Sequence, residues 1–251
     1  MCSTVQPSAC LNDYKQPVGL PVRGWTPRSA IPQSPMTGRY ARVEPADAGR
    51  HASDLYEAYQ GAADERDWTY MSASFFPDLT AYRQYLEQTV AVKGAVYHAI
   101  VDLSSGKAVG AAALMRNDPA NGVIEIGNIA YSRQLQRSTA GTEALFLLMK
   151  RAFDELGYRR LEWKCDALNA ASRRAALRLG FRFEGIFRQA VVYKGRNRDT
   201  AWFSIIDAEW PAIRHGFEQW LAPRNFDARA LQIERLSDLI VQAKVSGLGG
   251  P

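Results

Sequence analysis

The stretch from Asn128 to Gly157, NIAYSRQLQRSTAGTEALFLLMKRAFDELG, constrains the chain more than any other. It reads as a strand, a short polar loop and one long helix. Ala144, Leu145, Leu148, Ala152 and Leu156 recur at helical spacing, so one stripe is buried while Glu143, Lys150, Arg151 and Asp154 are expected in water. The loop residues Gln136, Arg137, Ser138, Thr139, Ala140 and Gly141 fall where the first backbone N–H groups of the helix have no internal partner. Such a turn favours an anion. An ordinary helix start capped by Ser138 or Thr139 accounts for the same residues.

Upstream, Gly38–Val43 alternates like a first strand, and Asp47–Gly61 carries Leu55, Ala58 and Tyr59 on one helical face. The aromatic-rich segment DERDWTYMSASFFPD has no clean period. Trp68, Tyr70, Phe75 and Phe76 are read either as a small core beneath a loop or as a wall of an acceptor pocket. A helix over 79–92 leads to strands Val96–Asp102, Ala108–Met115 and Val123–Ser132, joined by SSGK and NDPANG into an antiparallel meander. Arg159–Ala167 is the next strand, and the intervening helix makes it parallel to Val123–Ser132. Asn169–Leu179 is a short helix stopped by Gly180, and a hairpin around Gly195–Asn197 closes the sheet.

The pattern predicts an α/β (α+β) domain over 37–209: a mixed, mostly antiparallel sheet of six or seven strands with flanking helices. Residues 1–36 hold six of the 12 prolines and form an extended arm pinned near Trp25, which packs on the domain or contacts ligand. Residues 210–251 form a helical extension, Trp210–Leu221 and Ala228–Val245, that packs on the domain or makes a dimer contact, before a flexible GLGGP end.

Two sets of residues resemble the GCN5-related N-acetyltransferase (GNAT) superfamily. Gln136-x-x-Thr139-x-Gly141 matches its cofactor loop, Gln/Arg-x-x-Gly-x-Gly/Ala, at two of three fixed places, with Thr139 where glycine is usual. Asn169, Ser172, Ala175–Ala176, Leu179-Gly180-Phe181 and Glu184-Gly185, then Lys194-Gly195-Arg196-Asn197-Arg198-Asp199, are similar to the branch of ribosomal-protein N-terminal acetyltransferases. The resemblance covers roughly 38–207. It implies a sheet splayed between its fourth and fifth strands, acetyl-CoA as co-substrate and an amine acceptor. Asn128, Ile129, Ala130 and Tyr131 would pair with pantetheine, and Gln136, Arg137, Ser138, Thr139, Ala140, Gly141 and Thr142 would cradle the pyrophosphate.

Acetyl transfer requires an aligned neutral amine, a stabilised oxyanion and often a proton for the departing thiolate. By resemblance the oxyanion falls to the Ile129 N–H. Ser172 protonates or merely positions the sulfur, and Asn169 orders the pantetheine amide or a water. Glu125 is the candidate base, acting through water. Arg188, on the closing hairpin, joins the aromatic segment as an acceptor contact. The ribosomal-protein branch places a glutamate two residues after a Gln-Ala step, whereas Gln189-Ala190 is followed here by Val191 and Val192. That departure and Thr139 leave a second reading open: a catalytically degenerate acetyl-CoA-binding sensor or scaffold.

Composition narrows the field. A formal charge of +5 from 31 basic and 26 acidic residues suits a phosphorylated ligand and is far from a nucleic-acid-binding tail. Cys2, Cys10 and Cys165 lack CxxC spacing, and His51, His98 and His215 are scattered, so neither a disulfide framework nor a metal is expected. Cys165 reads as core. Without a signal or spanning segment the expectation is a cytoplasmic monomer or homodimer with no membrane or nucleic-acid partner.

Overall fold

Each principal helix before the closing hairpin starts on a residue that satisfies an orphan backbone N–H. In the computed structural model, which describes residues 9–62 and 64–248, Asp47 caps α1 (Ala48–Gln60) and Asp78 caps α2 (Leu79–Val90). Ser138 caps α3 (Thr139–Lys150) and Asn169 caps α4 (Ala170–Arg178). The strands are β1 (Ala9–Leu11), β2 (Pro17–Gly19), β3 (Met36–Thr37), β4 (Ala41–Pro45), β5 (Val96–Asp102) and β6 (Ala108–Asp118), followed by β7 (Val123–Tyr131), β8 (Arg160–Asp166), β9 (Arg182–Tyr193) and β10 (Arg196–Ile206). Two further helices, α5 (Trp210–Leu221) and α6 (Leu236–Val245), end the chain.

Strands β3 to β10 form one sheet in the order β3-β4-β5-β6-β7-β8-β10-β9. It has eight strands rather than six or seven, because the two-residue β3 adds an edge too short to show a sequence period. Every neighbouring pair is antiparallel except β7–β8. That parallel pairing lasts only from Val123↔Arg160 to Glu125↔Glu162. Beyond it β7 and β8 part, leaving Ile126–Tyr131 and Trp163–Asp166 without register partners across the gap.

One face of the sheet is covered by α3, α4 and α5. Ala144, Leu145 and Leu148 pack there with Ile124, Ile126, Leu161, Trp163 and Phe217. The other face carries α1 and α2 over Tyr97, Ala99, Ala111 and Ala113. Two of the polar residues expected in water on α3 and its continuation are buried. Glu143 accepts the backbone N–H groups of Arg39, Tyr40 and Ala41, at 2.9, 2.6 and 2.8 Å. Arg151 donates to the carbonyl and hydroxyl of Ser34 and pairs with Glu155. Burial is tolerated because every charge finds partners. The helix continues past Lys150 as one wider π turn, Arg151–Glu155, before Gly157 takes a left-handed φ of 65°.

The arm contains a short exposed hairpin, β1–β2, that its prolines did not suggest. It is pinned at Trp25, whose Nε1 donates to the carbonyl of Ala120 at 2.8 Å while Arg28 lies 4.2 Å over the ring. The extension packs through α5, where Phe217 stacks on Phe146 at 4.9 Å. Its second helix is shorter than the expected 228–245. Asp227 accepts the N–H groups of Arg229 and Leu231 and holds that segment in turns, leaving Leu231 exposed. No helix among the described residues is long and apolar enough to cross a membrane. Expectations for 1–8, Cys2 included, and for 249–251 of the GLGGP end lie outside the described residues.

Candidate active site

The site begins where β7 leaves β8. Register on the β6 side jumps from Ala111↔Ala130 to Ala113↔Gly127, so β7 carries an extra residue, and Asn128 adopts a left-handed φ of 51°. Asn128 and Ile129 therefore have no register partner on either neighbouring strand. The next two residues are already engaged: the carbonyl of Ala130 accepts from the Tyr59 hydroxyl, and that of Tyr131 from the Gln136 side chain.

Past β7 the loop folds tightly over the start of α3. Ser138 Oγ donates to the Leu135 carbonyl and accepts from the Gly141 N–H. Thr142 Oγ1 donates to the Ser138 carbonyl and accepts from Arg178. Gln136 and Ser138 thus build the loop with their side chains. The backbone N–H groups of Arg137, Thr139 and Ala140 have no acceptor among the described residues, and they cluster at the positive end of the helix. Such a cluster favours an anion, and the half-buried Arg178 guanidinium adds positive charge beside it.

Thr139 in the glycine place requires no special backbone, since the loop's left-handed residue is Arg137, with φ of 60°. A left-handed non-glycine residue costs roughly 1–2 kcal/mol. Gly141 matters for another reason. A Cβ there would lie 2.6 Å from the Leu135 carbonyl oxygen and 2.9 Å from the Tyr131 ring, so its absence lets the loop close.

Across the gap, Asn169 caps α4 by accepting the Ser172 N–H, and Ser172 Oγ accepts from Trp163 Nε1 at 3.0 Å. Cys165 is buried next to them, and burial pushes its thiol up. Glu125 lies at the fork, on the last paired rung. Its carboxylate is buried, 2.9 Å from Lys164 Nζ and 3.6 Å from Arg116. Burial raises its pKa even though Lys164 opposes the shift. Lys164 also pairs with Glu162 and sits 3.9 Å over the Trp202 ring. Glu184 is held by Arg160 and Ser204.

By strand alternation Glu162, Lys164 and Asp166 share the sheet face that carries α1 and α2. A cleft of about 600 Å³ opens there between the α1–α2 loop, the β8–α4 turn and the tip of the β9–β10 hairpin. Tyr70 and Phe75 line it, and Trp68 reaches it from a buried edge-to-face cluster with Tyr59 and Phe76. Phe76 packs inside that cluster and does not line the cleft. Arg188 lies exposed on a neighbouring, more open cleft with Phe187, Gln189 and Asp199.

Three hydrogen bonds clasp the walls together: Tyr70 to the Leu168 carbonyl, Lys194 to the Trp68 carbonyl, and Tyr193 to Asp166. The Tyr193 hydroxyl is pushed up to about 12 by burial and by the Asp166 carboxylate. Asp166, Tyr193 and Lys194 line the cleft, although the sequence pattern assigns them no role, Lys194 despite opening the Lys194–Asp199 segment. No cluster of three metal-ligating side chains occurs among the described residues.

A mixed sheet opened between two parallel strands, with an anion-accepting helix start at the opening, defines the acetyltransferase class of fold. The Acetyltransferase (GNAT) domain family matches residues 44–182, and the chain belongs to it. A GCN5-related N-acetyltransferase from Brucella melitensis is 45% identical, with a TM-score of 0.86, over 88% of this chain and 100% of that one. Two solved structures are alike in fold alone. The first is a ribosomal-protein-serine acetyltransferase from Vibrio cholerae, at 22% identity and TM-score 0.60, covering 70% of this chain and 99% of that one. The second is the microcin C7 self-immunity acetyltransferase in complex with acetyl-CoA and AMP, at 21% identity and TM-score 0.58, covering 67% and 93%. No curated protein matches the chain. The protein is an acyltransferase enzyme of a family that uses acetyl-CoA.

Proposed function

We propose that the protein moves the acetyl group of acetyl-CoA to the primary amine of a small molecule or a protein N-terminus, by direct attack on the thioester. The carrying observation is the gap itself. Three rungs of parallel pairing end at Glu125, and beyond them the backbone of Asn128 and Ile129 faces an opening that leads to the unpaired N–H groups of the α3 start. An extended pantetheine fits the opening as an added strand, and its pyrophosphate fits Arg137, Thr139 and Ala140.

In this reading the Ile129 N–H receives the developing oxyanion. The amine nitrogen bonds to the acetyl carbon, the carbon–sulfur bond breaks, and the thiolate takes a proton from water held at Ser172. The amine loses its own proton through water to Glu125, whose raised pKa makes it a better base than an exposed glutamate. Trp163 fixes the Ser172 hydroxyl, and Asn169 sets the helix that presents it.

The experiment is thiol release from acetyl-CoA against a panel of amines and peptide N-termini, with Glu125→Gln alongside. Turnover falls by at least tenfold in the variant, KM for acetyl-CoA holds, and the acid limb of the wild-type rate profile lies above pH 4.5. Tight acetyl-CoA binding without release of thiol for any amine would establish the sensor reading instead.

A further inference from the structure

Five acidic side chains among the described residues are buried: Glu44, Glu125, Glu143, Glu162 and Asp166. Four have compensation inside the protein. Glu44 is met by Arg42, Arg50 and His51, Glu125 by Lys164 and Arg116, and Glu162 by Arg160 and Lys164. Glu143 accepts three backbone N–H groups. Asp166, 5% exposed, differs: no basic side chain among the described residues makes a salt bridge with it. It accepts one N–H, from Leu168, and one hydroxyl, from Tyr193, both at 2.8 Å. A carboxylate has about four acceptor sites, so roughly two remain. A buried acid without a cation is uncommon in a folded protein.

Its position explains the exception. Asp166 lines the cleft, at the end of the strand that borders the gap, and the walls around it are Trp68, Tyr70, Phe75 and Tyr193. A carboxylate among aromatic faces is a receptor for an organic cation: the charge pairs with the acid, and the rings attract it through their faces. The more exposed lining residues carry the opposite sign, with Arg66, Lys194 and Arg196 against Glu65, so a single cation is favoured only in the interior.

We infer that Asp166 is the anchor for the acceptor, binding its amine as an ammonium group that must release one proton to water before the neutral nitrogen attacks. This rests on the transferase reading above and deepens it by naming the substrate class. The acceptor is a primary ammonium compound with an aromatic or apolar body and no acid group beside the amine, such as an arylalkylamine or a peptide N-terminus. A free α-amino acid is disfavoured, because its carboxylate would face Asp166. Tyr193 is a positioning residue that orients the Asp166 carboxylate.

The test is calorimetric binding in the presence of CoA, using phenethylamine, its neutral isostere 2-phenylethanol, and phenylalanine. Phenethylamine binds at least tenfold more tightly than either of the others, and the preference fades as pH rises past the pKa of the amine. Asp166→Asn removes the preference, while Tyr193→Phe reduces it only in part. Equal binding of amine and alcohol, a preference that survives Asp166→Asn, or no binding by any of the three overturns the inference. Should the Asp166 variant fail to fold, the wild-type ratio of amine to alcohol still decides. A protein that shows the preference yet releases no thiol would keep this inference and refute acetyl transfer.

Discussion

His98 makes the stability of the fold depend on mild acid. The imidazole lies fully buried on β5, opposite Ala112, and burial with the nearby Arg151 charge lowers its pKa from 6.5 to about 4. A histidine whose folded pKa is depressed stays neutral in the native state, while the unfolded chain takes up a proton below pH 6.5. Its contribution is therefore complete above pH 6.5 and is lost as pH falls toward 4. Proton linkage with those two values gives a loss of about 2 kcal/mol between pH 8 and pH 5, and about 3 kcal/mol once both states are protonated. Urea unfolding at pH 8 and pH 5 measures the loss, with His98→Gln as the variant that cannot titrate. Wild type loses about 2 kcal/mol more than the variant across that interval. Equal losses in the two proteins would refute the argument, whatever the variant's absolute stability.

Two further outcomes follow from contacts at the start of α3. Glu143→Gln retains one acceptor oxygen and turns an amide donor toward backbone N–H groups, so unfolding free energy falls by about 3 kcal/mol in denaturant titration. Gly141→Ala forces the loop off Leu135 and Tyr131. It costs about 1–3 kcal/mol of stability and weakens acetyl-CoA binding in calorimetry.

Much of the frame can be read from residue order because local rules act there without help. Tight turns between β5, β6 and β7 dictate antiparallel neighbours, and a helix between β7 and β8 dictates the parallel pair. Of the two caps the residues offer for α3, Ser138 and Thr139, the structure uses Ser138. What escaped notice depends on partners far along the chain. Glu143 looks like a solvated helix residue until Arg39, Tyr40 and Ala41 arrive from more than a hundred positions away. Arg151 is hidden in the same way by Ser34. The aromatic segment after α1 has no period to separate core from pocket, and it divides: Phe76 and most of Trp68 serve packing, while Tyr70 and Phe75 face the cleft. Asp166 and Tyr193 lie 27 positions apart, and their hydrogen bond has no periodic signature.

The brevity of the β7–β8 ladder has a mechanical consequence. Two plates of sheet, one running from β3 to β7 and the other from β8 to β9, are hinged at a single corner by three rungs. In the reading proposed above, a ligand inserted as an extra strand would act as mortar between them, so that the co-substrate would complete the architecture of the enzyme as well as feed its chemistry.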